Sequence, residues 1–227
     1  MKILSFIYPG FTALDLTGPT TAWGLMPGNE FQFVSGTKGP VKSDMGLQLV
    51  ATHDFSDCWA EPDVVFVPGG GIGVFEALQN DALLDCIAEI GGRAQWLTSV
   101  CTGSLLLGAA GLLRGYRSAC YWYARNALEK FGAIPDPSRT VIDRNRASGG
   151  GVTAGIDFGL AMIGTWAGPD QGRLIELVLE YTPQPPFGVG RPELADAGTL
   201  AMATPILDRE MPFALVDAAA RRRGFVA

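Results

Sequence analysis

The chain has 227 residues, 48% hydrophobic and 18% charged, a balance that suits a globular domain with a sizeable core and excludes a disordered polymer. Its formal net charge is −6, and the one basic run, Arg221-Arg222-Arg223, lies near the C-terminus, so no basic stripe exists to neutralise nucleic-acid phosphates. That run reads as the solvated end of a helix, where positive charge suits the dipole.

No window approaches 18 uninterrupted apolar residues, so no membrane span is expected. The chain enters a strand pattern directly at Met1-Lys2-Ile3-Leu4, without the charged lead and long apolar run of a signal peptide. Cys58, Cys86, Cys101 and Cys120 form no C-x-x-C pair, and the single histidine, His53, cannot complete a zinc set. A cytoplasm with reduced thiols is therefore the expected compartment, and His53, beside Asp54 and Asp57, reads as a solvated side chain.

Residues 2–8 read as an opening strand broken by Pro9-Gly10, and a helix follows through about Met26 with Asp15 early in it. Residues 30–35 form a second strand, and 39–50 a small hairpin turning at Asp44-Met45-Gly46. The continuous apolar run 63–67 is typical of a parallel strand covered on both faces. It ends at Pro68-Gly69-Gly70-Gly71, and helical patterns follow over 74–78 and 82–91. A buried strand over 94–100 leads to a turn and a packed helix over 104–110.

Residues 112–120 read as a connection and strand, 121–131 as a helix stopped by Gly132, and 140–148 as a hairpin around Asn145. Helices are expected over 153–166 and from Pro169 to about Tyr181, then a loop over 187–198 and a last surface helix over 207–224. The alternation of strands and helices argues for one doubly wound, mostly parallel sheet with helices on both faces. In such sheets, sites form beyond the carboxyl ends of the strands.

Three of those ends carry chemistry. The stretch Ser99-Val100-Cys101-Thr102-Gly103, with small residues around a cysteine between strand and helix, is the thiol counterpart of the Gly-x-Ser-x-Gly elbow. The field of the following helix would favour a reactive thiolate; the alternative is a buried, inert cysteine. Asp15 can cap its helix or act as general acid and base for the thiol. Gly69, Gly70 and Gly71 are either a plain loop or, with the Thr102 N–H, donors for a developing negative charge. Gly149-x-Gly151-x-x-Ala154 formally fits a dinucleotide fingerprint, but helix packing explains its glycines better. Cys58, Cys86 and Cys120 lack the small-residue turn and read as structural.

Six stretches together carry a resemblance: Leu14-Asp15-Leu16-Thr17-Gly18-Pro19, Val67-Pro68-Gly69-Gly70, 98–104, 108–115, 149–158 and 179–187. With them the chain resembles the ThiJ/PfpI superfamily, and within it most nearly the isocyanide hydratases. The resemblance implies a single-domain, flavodoxin-like three-layer α/β/α sandwich, with residues 1–190 as its body and 191–227 as a C-terminal extension carrying a surface helix. It implies Cys101 as nucleophile and Asp15 as its acid/base partner, a homodimer, and no metal or organic cofactor. Many relatives carry His-Trp where this chain has Tyr121-Trp122, so a Cys-His amidase or protease mechanism lacks its histidine here.

On that reading an isocyanide, R–N≡C, is hydrated to an N-substituted formamide through a thioimidate on Cys101. Thr102, Gly69 and Gly70 would position the intermediate, and Tyr121, Trp122 and Val152 would line an apolar pocket. Two other readings stay open: glyoxalase- or deglycase-like chemistry on α-oxoaldehydes, and a redox or ligand sensor like the effector domain of regulators.

Overall fold

The computed structural model describes residues 1–225. In chain order it runs β1 (Lys2–Phe6), α1 (Ala13–Gly24), β2 (Glu30–Ser35), β3 (Gly39–Lys42), β4 (Gln48–Ala51), β5 (His53–Asp54), β6 (Val64–Val67), α2 (Ile72–Ala77) and α3 (Asp81–Gly91). Then come β7 (Trp96–Val100), α4 (Gly103–Ala109), β8 (Arg117–Ser118), a 3₁₀ helix (Arg125–Phe131), β9 (Ile134–Pro135), β10 (Thr140–Asp143) and β11 (Arg146–Gly149). Helices α5 (Ala154–Ala167) and α6 (Pro169–Val178), a 3₁₀ turn (Pro192–Leu194), α7 (Ala197–Glu210) and α8 (Ala214–Arg222) complete it.

Seven strands form the central sheet in the order β10-β11-β7-β6-β1-β2-β5. Every neighbouring pair is parallel except β10 with β11. The middle of the sheet is its most apolar part: Val64, Val65, Phe66 and Val67 of β6 are wholly buried between β1 and β7. Helices α1, α5 and α6 pack together as one layer, and α2, α3, α4, the long 3₁₀ helix and α8 as the other. This is the three-layer, mostly parallel architecture that the alternating pattern implies.

Several expected elements differ. The strand expected within 112–120 is only Arg117–Ser118, paired with β9 outside the main sheet. Residues 121–131 form a turn and a 3₁₀ helix rather than an α-helix, though Gly132 ends it in the left-handed region, φ 74°, as expected. The last helix, expected over 207–224, is two. α7 begins inside the span read as loop, and the chain breaks at Met211, which precedes Pro212 and is pushed out of the helical region to φ −130°, ψ 75°.

His53 is not a solvated side chain. It lies on edge strand β5, half-buried, with Nε2 3.1 Å from the Gln32 amide and Nδ1 2.9 Å from Thr52 Oγ1. The arginine run is also more than a solvated helix end, because Arg222 pairs with Asp81 at 3.0 Å and Arg223 with Asp85 at 2.6 Å, pinning α8 to α3. The glycines of the supposed dinucleotide fingerprint are packing glycines. A Cβ on Gly149 would meet Phe158 at 3.1 Å and one on Gly151 the Tyr121 ring at 2.9 Å.

Candidate active site

β7 delivers the chain to the top of the sheet at Val100, and α4 carries it away from Gly103. The corner residue, Cys101, has φ 59°, a left-handed conformation that a side chain rarely adopts. Its N–H is divided between the Gly149 and Gly150 carbonyls, at 3.1 and 2.8 Å, which holds the corner from the neighbouring strand. Gly103 permits the turn: a Cβ there would stand 2.2 Å from the Val67 carbonyl oxygen, so α4 starts directly against the end of β6.

α1 brings the acid. Its buried positions include Asp15, Gly18, Pro19 and Ala22, spaced at helical intervals, so Asp15 occupies the core face and is wholly buried. It does not cap its own helix, whose N-cap is Thr12. Its Oδ2 accepts the Gly69 N–H at 3.0 Å, while Oδ1 is buried without a hydrogen-bond partner. The position a Cβ would take on Gly69 lies 2.6 Å from Thr102 N, 2.7 Å from Cys101 Cβ and 2.8 Å from Asp15 Oδ2. Elbow and carboxylate therefore converge on one glycine. The Cys101 thiol is near enough to act on Asp15 as a hydrogen-bond donor, without the geometry of a formed bond to Oδ1.

Burial sets the electrostatics of both groups. Burial pushes the Cys101 thiol well above its ordinary value, and the Asp15 charge adds to this; both outweigh the opposing help of the Thr102 N–H and hydroxyl. These effects oppose the thiolate that the helix field would favour. Burial also lifts Asp15 to about 7, against the lowering effects of the Cys101 thiol and the Gly69 N–H.

The glycine donors are not free either. The Gly69 N–H is spent on Asp15, and the Gly70 N–H is spent on Thr102 Oγ1 at 3.0 Å. The Thr102 hydroxyl in turn donates to the Gly70 carbonyl at 2.6 Å. Gly69 and Gly70 thus hold the acid and the elbow in place, and the Thr102 backbone N–H remains as the donor beside the sulfur. Tyr8, which sequence reading passed over, supports the same loop: its buried hydroxyl donates to the Pro68 carbonyl at 2.6 Å.

A cavity of about 430 Å³ opens beside the elbow. Gly150, which holds the Cys101 N–H, and Cys120 line it, as do Tyr121, Trp122 and Val152. Cys101 itself is only 4% exposed and meets the cavity lining through Gly150, whose carbonyl takes its N–H.

The family model described as the DJ-1/PfpI family matches residues 1–165, which include every element around the elbow. The chain belongs to the DJ-1/PfpI family. It is 42% identical to the isonitrile hydratase of Pseudomonas putida over 200 residues, 88% of this chain and 87% of that protein. The crystal structure of a ThiJ/PfpI family protein from Pseudomonas syringae superposes with a TM-score of 0.92 at 41% identity, covering 96% of this chain and 90% of that one. The transcriptional regulator GbdR of Pseudomonas aeruginosa is 34% identical over 138 residues, 60% of this chain but only 37% of the regulator.

In this DJ-1/PfpI chain the structure gathers Cys101, Asp15, Thr102, Gly69 and Gly70 at one point, and Tyr121, Trp122 and Val152 around the adjoining cavity. The far wall was not foreseen. Leu200, Ala203, Ile206 and Leu207 of α7 line it, from the segment read as a surface extension. Their spacing at three and four residues is a helical face, a signal available in the sequence but masked by the glycines and prolines before it. No group of metal-ligating side chains occurs among the described residues, and no helix among them is long and apolar enough to cross a membrane.

Proposed function

We propose that this chain is an isocyanide hydratase, a hydro-lyase converting R–N≡C and water to an N-substituted formamide, with Cys101 as nucleophile and Asp15 as general acid and base. Its similarity along most of its length to the isonitrile hydratase of Pseudomonas putida supports the activity. The observation that carries the mechanism is the identity of the group beside the thiol: a buried aspartate with one oxygen unbonded, in a chain whose single histidine lies away on β5.

The terminal isocyanide carbon has no leaving group, so the chemistry is addition. The ionised Asp15 takes the Cys101 proton as the sulfur bonds to that carbon, then returns the proton to the same carbon, leaving a thioimidate, R–N=CH–S. Asp15 next takes a proton from water as the water oxygen attacks the carbon, and passes it to the nitrogen, giving R–NH–CH(OH)–S. It then takes the remaining hydroxyl proton as the C=O bond forms and the C–S bond breaks, returns that proton to the sulfur, and R–NH–CHO leaves. An Asp15 poised near 7 suits both directions of transfer. The Thr102 N–H supports the sulfur as it becomes anionic.

Glyoxalase-like chemistry would call for a glutamate and often a histidine beside the thiol, and the aspartate disfavours it. We also infer a homodimer in the cytoplasm. Exposed Leu174, Leu177 and Val178 on α6 and Met202 on α7 support a covered surface, and four free cysteines support a reducing compartment. The deciding assay follows formamide formation from a simple alkyl isocyanide, with mass spectrometry of the quenched enzyme for an adduct on Cys101. Unimpaired turnover by Cys101→Ala sinks the mechanism.

A further inference from the structure

The cavity beside the elbow is mixed in an uneven way. Its walls are mainly apolar, with Trp122, Val152, Leu200, Ile206 and Leu207 among them. Its charged lining, however, comprises three arginines, Arg125, Arg139 and Arg191, against one carboxylate, Glu193. The chain as a whole carries a net charge of −6, so this concentration of positive charge runs against the composition.

Two of the arginines are accounted for by the protein. Arg139 pairs with Asp157 and also donates to Thr153, and Arg191 lies 3.5 Å from Glu193. Arg125 has neither an ion-pair nor a hydrogen-bond partner among the described residues, although it is half-buried. Asp136, the carboxylate on which its charge acts, is engaged with Arg117 at 3.2 Å. A half-buried arginine that lines a cavity with no ion-pair partner of its own is a ready site for an anion.

Position along the cavity narrows the ligand. Burial pushes the Cys120 thiol up to about 12, opposed by Ser104, the Tyr121 N–H and the positive charge of Arg125. Geometry puts Arg125 toward the elbow end: Gly150 accepts the Cys101 N–H, a Cβ on Gly150 would stand 3.9 Å from the Cys120 carbonyl oxygen, and the turn closed by the Ala124 N–H on the Tyr121 carbonyl leads from Cys120 to Arg125. An anion on Arg125 therefore sits toward the thiol, while the apolar α7 wall takes the remainder of the molecule.

We propose that the substrate class is an isocyanide bearing a carboxylate near its nitrogen and a bulky apolar side chain, with Arg125 as the specificity-determining residue that binds the carboxylate. The word isocyanide rests on the function proposed above; the carboxylate and the apolar group rest on this cavity alone.

The test compares the isocyanide derived from leucine, with its amine replaced by isocyano, as the free carboxylate and as the methyl ester. Wild-type kcat/KM is expected to favour the carboxylate by about 10- to 100-fold, chiefly through KM. In Arg125→Gln that ratio falls to near unity, and Arg125→Lys restores part of it. Arg125 has no partner to lose, so melting temperatures should agree among the three proteins. Equal turnover of acid and ester by the wild type, or a preference that survives Arg125→Gln, overturns the proposal.

If the wild type turns over no isocyanide, the function proposed above fails, and the anion site is then judged by calorimetry. N-formyl-leucine should bind more tightly than its methyl ester, and Arg125→Gln should abolish the difference; equal binding overturns the site.

Discussion

The Asp15 carboxylate and the Cys101 side chain meet across Gly69, where a Cβ would stand 2.8 Å from Asp15 Oδ2 and 2.7 Å from Cys101 Cβ. A buried acid and a buried thiol share one small space: the Asp15 charge raises the cost of ionising Cys101, whereas the Cys101 thiol eases the ionisation of Asp15 against its burial.

The rate should report the acid. Thiol attack needs Asp15 ionised to take the proton, and burial sets Asp15 at about 7. The kcat/KM for isocyanide hydration should therefore fall about tenfold for each unit below pH 7. Asp15→Asn should lose roughly 10²- to 10⁴-fold in kcat and show no such limb. A rate–pH profile with an unchanged acid limb in Asp15→Asn would assign the titration to another group.

Stability should move the opposite way. The folded pKa of Asp15, about 7, lies above the unfolded value of about 3.9, so the folded state holds a proton that the unfolded state releases between them. The associated stability is complete below about pH 4 and is lost as pH rises through 7. Keeping the buried carboxylate ionised above that range costs on the order of 4 kcal/mol. Asp15→Asn avoids this cost while its amide oxygen can still accept the Gly69 N–H. Denaturant titrations should find it more stable than wild type at about pH 8, with the gain shrinking by about pH 5.

Backbone strain at the nucleophile separates two inactive variants. Cys101 holds φ 59°, which costs an L-residue about 1 kcal/mol and glycine almost nothing. Cys101→Ala and Cys101→Gly should both lose turnover by at least about 10⁴-fold. Cys101→Gly should nevertheless be the more stable of the two by about 1 kcal/mol, measured by thermal melting. The reverse order would show that the corner is not strained.

Close approach makes two glycines unequal. Gly69→Ala places a methyl against Thr102 N, Cys101 Cβ and Asp15 Oδ2, and should cost about 1–3 kcal/mol and most of the activity in a folded protein. Gly103→Ala drives a methyl to 2.2 Å from the Val67 carbonyl, where only backbone movement relieves it. That variant should lose more than about 4 kcal/mol and accumulate poorly. Circular dichroism of the two purified proteins distinguishes them, and a well-folded, fully active Gly69→Ala would remove Gly69 from the meeting point.

Much of the architecture was legible locally. The apolar run at 63–67, the glycines after it and the small residues around Cys101 each mark a strand end from a few neighbouring positions. The hairpin of β3 and β4 and the left-handed stop at Gly132 follow from turn chemistry of the same short range. Short patterns failed where distant chain decides: β8 exists only because β9 pairs with it, and His53 is half-buried because Gln32 of β2 lies beside it.

The site divides the same way. That Cys101 stands on a turn between strand and helix could be read from residue types, because a corner between β7 and α4 needs small side chains around it. Which donors remain free, how far burial opposes ionisation of the sulfur, and that α7 walls the cavity depended on packing. Hydrogen bonds are exclusive, so the Gly69 and Gly70 N–H groups became unavailable once Asp15 and Thr102 reached them. Burial and an adjacent charge, both products of chains far apart in sequence, outweighed the short-range field that the helix offers Cys101.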